Sequence, residues 1–204
     1  MADRLGTLVV SRETMDRLNT YSDLLKKWNP KINLVSRSTL DDLWSRHMLD
    51  SAQIFSLADN KPDHWIDLGS GGGFPGLVIA ILAKELMPNL TVTLVESDQR
   101  KCAFLRTVSR ETGCDVTVHS KRIEEIEPLN ADVLSARALA DLTLLLQFSE
   151  RHLNPQGVCL FPKGSTWKKE VKTARESWQF SERAIKSETQ DDAVILRINE
   201  IKHA

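Results

Sequence analysis

Apolar and polar positions divide the chain into two patterns. In the first, Met15, Leu18, Tyr21, Leu24, Leu25 and Trp28 recur at the three-and-four spacing of one helix face, and Ser11 stands where an N-cap belongs. Asn29-Pro30 predicts the end of that helix, because a residue before proline is pushed out of the α region. Lys31-Ile32-Asn33-Leu34-Val35 reads as a link. Ser38, with Asp41 three residues later, then reads as the capping box of a second helix carrying Leu40, Leu43, Trp44, His47 and Met48 on one face.

After Lys61-Pro62 strands and helices alternate. The strands are expected at residues 64–68, 91–96, 116–120, 132–136, 158–163 and 193–199, with a weaker one near 179–185. The helices are expected at 75–85, 99–112, 139–152 and 167–177. Alternation at these lengths predicts a doubly wound, mostly parallel twisted sheet with helices on both faces. The chain is thus read as a helical extension, residues 1–60, on one Rossmann-like unit, residues 61–204.

Composition narrows the picture slightly. At 204 residues with 41% apolar content, the chain is long enough for a substantial core. Its net charge is −1, so any RNA would have to be held by local clusters of basic residues. Cys102, Cys114 and Cys159 are odd in number and form no Cys-x-x-Cys pair, which predicts reduced thiols in a cytoplasmic chain and no metal site. No signal peptide is expected at Met1-Ala2-Asp3-Arg4, and no uncharged apolar run reaches membrane-spanning length. No coiled-coil pattern demands a dimer, so a monomer is expected.

The chemistry concentrates at Asp67-Leu68-Gly69-Ser70-Gly71-Gly72-Gly73-Phe74-Pro75-Gly76. Ile66-Asp67-Leu68 reads as the end of a buried strand. Glycines there let the backbone turn tightly and approach a ligand, and the helix that follows presents free amides and a positive dipole end. Pro75 suits a first helical turn. Gly71-Gly72-Gly73-Phe74-Pro75-Gly76 fits G-x-G-x-x-G, and Glu96 lies about 20 residues further on, where an acid can bind ribose hydroxyls. That spacing admits NAD as well as S-adenosyl-L-methionine. Asp67 before Gly69, Gly71 and Gly73 looks like the first motif of Rossmann-type methyltransferases, and little chain remains for a dehydrogenase substrate domain. Both features favour S-adenosyl-L-methionine. Asp98 is placed to assist Glu96 or to cap the next helix.

With these segments in view, the chain resembles the bacterial small-subunit ribosomal RNA methyltransferase G family, also known as glucose-inhibited division protein B. The resemblance runs through Trp28-Asn29-Pro30-Lys31-Ile32-Asn33-Leu34, Arg46-His47-Met48-Leu49-Asp50-Ser51, the glycine loop, Glu96-Ser97-Asp98, Arg100-Lys101, Arg122-Ile123-Glu124-Glu125, Ser135-Ala136-Arg137-Ala138 and Phe161-Pro162-Lys163-Gly164. It implies a class I methyltransferase fold and methyl transfer to N7 of a guanine, position 527 of 16S ribosomal RNA. It also implies cofactor contacts at Gly69, Phe74, Ile123, Glu124 and Arg137. The guanidinium of Arg137 suits either the methionine carboxylate or an RNA phosphate. The family's acid after the second strand is often Asp where this chain has Glu96, which lengthens the arm and keeps the carboxylate.

Guanine N7 carries a lone pair and no proton, so its methylation needs no general base. This agrees with the scatter of His47, His64, His119, His152 and His203, which form no nucleophile–base pair. Arg137 and Lys163 are the candidate positioning residues. The RNA-contact candidates are Lys31, Asn33, Arg46, His47, Arg100, Lys101, Arg122 and Lys163, with the small ribosomal subunit as the expected partner. A small-molecule methyltransferase and a non-enzymatic NAD-binding regulatory domain are the competing readings.

Overall fold

A computed structural model describes residues 2–58 and 62–204. The boundary expected between residues 60 and 61 lies outside the described residues. The chain opens with a hairpin that the pattern does not predict, β1 (Ala2–Leu5) against β2 (Leu8–Ser11). Ser11 caps α1 (Arg12–Ile32) as expected, its Oγ accepting the Thr14 N–H at 3.2 Å. Glu85 fixes this start from outside, accepting the Ser11 hydroxyl at 2.9 Å and the Thr14 hydroxyl at 2.6 Å.

The other end of α1 departs from expectation. The helix runs through Pro30 and stops at Asn33, which takes a left-handed φ of 51°. Asn29 makes this stop: its backbone carbonyl accepts the Asn33 N–H at 3.0 Å, and its side-chain oxygen accepts those of Leu34 and Val35 at 2.7 and 2.8 Å. Proline in a last turn removes one N–H without forcing an end, and the cap decides the boundary. The expected Ser38–Asp41 capping box is also absent. Ser38 lies in a 3₁₀ turn, Arg37–Thr39, with its hydroxyl 3.2 Å from that of Ser36. A π-helical turn, Trp44–Leu49, then leads into α2 (Asp50–Phe55). Such wide turns often mark functional positions, and this one carries Arg46 and His47.

The remainder follows the predicted alternation: β3 (His64–Leu68), α3 (Gly76–Leu86), β4 (Thr91–Val95), α4 (Gln99–Thr112), β5 (Thr117–His119), β6 (Ala131–Ala136), α5 (Leu142–His152), β7 (Leu153–Lys163), α6 (Trp167–Ala174), β8 (Trp178–Lys186) and β9 (Val194–His203). The seven-stranded sheet has the order β5-β4-β3-β6-β7-β9-β8. β3 to β7 are parallel, and β9 runs antiparallel between β7 and β8.

The period-two geometry of strands sorts the core into two layers. Trp65, Val92, Leu94, Val133 and Leu160 face the layer built by α1, α3 and α4. Ile66, Leu68, Val95, Leu134 and Phe161 face the layer of α5 and α6. Leu18, Tyr21 and Leu25 of α1 are fully buried in the first layer. Each such burial contributes roughly 1.5–3 kcal/mol, so the extension is integral to the core. β3 pairs with β4 on one side and β6 on the other. The chain reverses direction across the sheet there, and ligands of open α/β sheets bind at the carboxyl ends of such strands. No described helix is long and apolar enough to cross a membrane.

Candidate functional site

A cavity of about 880 Å³ opens at the carboxyl ends of β3, β4, β6 and β7. Gly69, Gly71, Phe74, Glu96, Ile123, Glu124 and Arg137, all expected to meet a cofactor, line it together. So do Arg46, His47, Lys101, Arg122 and Lys163 from the expected RNA set.

The glycine loop is held from below by Asp67. As an odd-numbered residue of β3, its side chain points to the α3 layer, where it is fully buried. One carboxylate oxygen accepts the Ser135 hydroxyl at 2.7 Å, and the other faces the Gly76 N–H at 3.3 Å. Trp65 Nε1 donates to Ser135 at 3.0 Å and orients that hydroxyl. Burial pushes the Asp67 carboxyl up to about 6, opposed by hydrogen bonds from Ser135, Ser70 and Gly76. Gly76 is required by close approach: a Cβ there would lie 2.3 Å from Leu94 and 2.8 Å from the Asp67 carboxylate. Gly69 lies at φ +65°, and a Cβ on it would meet Leu139 at 2.6 Å. The Phe74–Pro75 peptide is cis.

Glu96, just past β4, accepts the Gly71 N–H at 2.9 Å and the Asp98 N–H at 2.8 Å. One carboxylate therefore ties the glycine loop to the β4 end, and each oxygen keeps a second lone pair for a ligand. Asp98 takes the second of its expected roles. It caps α4, accepting from the Arg100 and Lys101 amides, and its side chain pairs with Arg100 at 3.0 Å. Those contacts, led by the Arg100 side chain, hold its carboxyl down to about 2. It does not line the cavity.

Arg137, just past β6, stands over the Phe74 ring with its guanidinium carbon 5.0 Å from the centroid. Its Nη1 faces Asp50 Oδ2 and the Arg46 carbonyl, each at 3.3 Å, and its Nη2 donates to His47 Nδ1 at 2.8 Å. Arginine only donates, so His47 Nδ1 is unprotonated and Nε2–H donates to Thr39 Oγ1 at 2.9 Å. Burial, then the charges of Arg137 and Arg46, pull the His47 imidazole down to about 4. The ring is neutral at pH 7 and stacks on Phe74 at 4.9 Å. Tyr21 of α1 also stacks on Phe74, at 5.1 Å, and donates its hydroxyl to the Gly72 carbonyl at 2.6 Å.

Ile123 is buried at the cavity wall, with Glu124 exposed beside it in a 3₁₀ turn, Ile123–Glu125. Leu139 and Leu144 add exposed apolar surface to the lining. Lys163 reaches the cavity, but its ammonium donates to the Ala140 carbonyl at 3.0 Å and pairs with Glu170 at 2.7 Å. Arg46, Lys121 and Arg122 are exposed and form no ion pair among the described residues. Gly73, Lys31, Asn33 and Arg100 lie outside the lining. Gly73 instead packs, since a Cβ there would lie 2.4 Å from Leu77 and 2.8 Å from the Tyr21 hydroxyl.

Sequence reasoning does not single out Asp50, Tyr21 or Leu139 as site residues. Asp50 had a usable signal, three residues after His47 on one helical turn. Tyr21 reads as core, which it is, and its reach to Gly72 across 51 positions has no local signature.

A sheet of this order, with a glycine loop after its first parallel strand and a carboxylate after the next, can hold a nucleoside. A family model described as rRNA small subunit methyltransferase G matches residues 14–194. The chain belongs to the rRNA small subunit methyltransferase G family. A curated relative of that name from Ruegeria sp. (strain TM1040) is 57% identical over 204 residues, covering 99% of both chains. Another, from Rhodospirillum centenum (strain ATCC 51521 / SW), is 54% identical over 94% of this chain and 87% of its own. Among solved structures, a SAM dependent methyltransferase from Aquifex aeolicus superposes with TM-score 0.60 at 12% identity, covering 87% of this chain and 97% of that one. A mutant of MtNAS in complex with S-adenosylmethionine gives 0.59 at 15% identity, covering 91% and 75%. These two show a shared class I methyltransferase fold. Membership in the methyltransferase G family makes this chain an S-adenosyl-L-methionine-dependent rRNA methyltransferase.

Proposed function

We propose that this chain methylates N7 of one guanine of 16S ribosomal RNA, at position 527, working as a cytoplasmic monomer on the small ribosomal subunit. One observation carries the choice of N7. Of the imidazole and carboxylate groups that line the cavity, all but the exposed Glu124 are already engaged within the protein. His47 is neutral with Nδ1 bonded to Arg137 and Nε2–H given to Thr39. Asp50 is paired with Arg137, Glu96 accepts two amides, and Glu170 is paired with Lys163. A site whose buried acceptors are committed to structural contacts, with Glu124 alone left solvent-exposed, suits an acceptor that already presents a lone pair and needs no base.

The residues present fit S-adenosyl-L-methionine. Gly69 and Gly71 give a cradle free of side chains, Glu96 has lone pairs for ribose hydroxyls, and Ile123 with Glu124 suits adenine. Phe74 lines the same floor, and Arg137 has N–H groups left over for a carboxylate. Bound there, the cofactor supplies an electrophilic methyl on a cationic sulfur. The protein's own part is to hold both partners in line and exclude competing geometries, which can lower a barrier by roughly 7–11 kcal/mol. Arg46, Lys121 and Arg122 supply the local positive charge that the near-neutral chain must find for RNA. Lys101 lies between that rim and Glu96 in sequence and lines the same cavity.

The test uses under-methylated small subunits, methyl-labelled cofactor and the full chain. Mass spectrometry of the digested 16S RNA should show one 7-methylguanosine at the expected position. Label on another atom or another nucleotide overturns the reading.

A further inference from the structure

Asp50 bonds to Arg137, Thr189 and Gln53 beside the cavity, and the mechanism above gives it no role beyond facing Arg137. It starts α2 and is buried, with 6% of its surface exposed. Its Oδ2 takes the Arg137 contact at 3.3 Å. Its Oδ1 accepts the Thr189 hydroxyl at 2.8 Å and the Gln53 amide at 2.9 Å. Gln53 extends the same connection: its Nε2 donates to the Ser187 hydroxyl at 3.2 Å, and its Oε1 accepts the Glu188 N–H at 2.8 Å. Ser187, Glu188 and Thr189 begin the loop between β8 and β9. Ser187, Gln190 and Ala193 of that loop line the cavity.

The two ends of this network differ in chemistry. At one end stands a guanidinium fixed over Phe74, beside the glycine loop. At the other stands a polar loop that carries no cofactor motif and forms part of the cavity rim. A buried carboxylate with all its partners in place is rigid, and losing one partner leaves the others under-satisfied. The three-residue step from Asp50 to Gln53 puts both side chains on one helix face, where they bond directly at 2.9 Å.

We propose that Asp50 is a positioning residue which couples Arg137 on the cofactor side to the Ser187–Ala193 rim loop, so that occupancy of the cofactor site orders the rim that receives the RNA. This rests on the reading that Arg137 faces the cofactor. It adds that the rim loop is set from that side through one carboxylate.

The decisive variant is Thr189→Val in the full chain. Thr189 does not line the cavity and lies beyond Asp50 from Arg137. S-adenosylhomocysteine affinity is measured by calorimetry, and amide hydrogen exchange is followed across residues 187–193 with and without that ligand. In the wild-type chain the ligand should slow exchange in this loop by roughly tenfold. Thr189→Val should weaken ligand binding about threefold, a part of what one hydrogen bond to a carboxylate contributes, and remove most of the loop's protection. Asp50→Asn should do the same more strongly. The double variant should lose less than the sum of the two, as residues in one network do. If Thr189→Val binds the ligand as the wild type does, or if the loop's exchange ignores the ligand in the wild-type chain, the coupling is overturned. Neither readout involves RNA, so a wrong target atom in the methylation assay would leave this result standing, and the converse holds.

Discussion

Two walls of one cavity are built on opposite terms. The glycine-loop wall has its polar groups assigned within the protein: Asp67 to Ser135 and Gly76, Glu96 to Gly71 and Asp98, Tyr21 to Gly72. Arg46, Lys121 and Arg122 on the basic wall are exposed and form no ion pair among the described residues. The first wall defines a shape and the second defines a charge. A small cofactor with fixed functional groups suits the first, whereas a long polyanion needs little more than the second.

The comparison breaks most sharply at the residue shared by the two walls. Arg137→Ala leaves Asp50 buried without its cation, so stability should fall by about 3 kcal/mol, with cofactor-analogue affinity down more than tenfold. Urea unfolding and calorimetry measure the two, and unchanged affinity would remove Arg137 from the cofactor wall. Gly76→Ala sets a methyl against Leu94 and Asp67 and should cost about 2 kcal/mol, read from the urea midpoint. An unchanged midpoint would mean that shape there is not strictly specified. Tyr21→Phe deletes only the hydroxyl that meets Gly72. It should lower stability by about 1 kcal/mol and weaken analogue binding a few-fold. A stability loss with no affinity change would separate α1 from the cofactor wall.

The next effect is a change of slope with pH. His47 has a folded pKa of about 4 against an ordinary 6.5. The folded state resists taking up that proton, so the stability present above pH 6.5 is lost as pH falls towards 4. Asp67 acts in the opposite sense: its folded pKa of about 6 exceeds the ordinary 3.8, so its contribution grows as pH falls from 6 and is lost as pH rises through 6. His47→Gln removes the first trend and keeps the second. Urea midpoints between pH 6.5 and 4 should therefore fall less steeply than in the wild type, and parallel curves would contradict the neutral imidazole. Arg122→Ala should have the smallest effect, under about 1 kcal/mol of RNA affinity. It should also flatten the salt dependence by roughly one phosphate contact. Loss of binding to all RNA would show that the basic wall is as specified as the other.

The same division explains what could be read from the residues alone. The strands, their parallel order and the glycine loop follow from strict alternation and from steric demands such as that at Gly76, so they leave a pattern. Glu96 is legible because its distance from the loop is set by one strand–helix–strand unit. Helix ends and long-range partners are not. The Asn29 side chain overrides Pro30 by capturing amides beyond it, and the Arg37–Leu49 stretch exchanges a capping box for a 3₁₀ turn and a π turn. Among the basic residues, local sequence does not separate Lys163, which pairs with Glu170, from Arg122, which faces outward. That distinction depends on a partner in α6. The hairpin at Ala2–Ser11 leaves no signal because it carries too few residues to establish a period.

The position of β9 has a consequence for how the chain is made. The last strand in sequence lies inside the sheet, between β7 and β8. Among the described residues β8 pairs with no other strand, and the rim loop tied to Asp50 is anchored only once β9 is in place. During synthesis the glycine loop, Glu96 and Arg137 all emerge before the strand that closes the sheet. A chain stalled short of Val194 would leave an open edge on β7 and β8 without a partner, a species prone to association. The loop at residues 187–193, tied to Asp50 and Gln53, therefore gains its second anchoring strand only after residues 194–203 have been made.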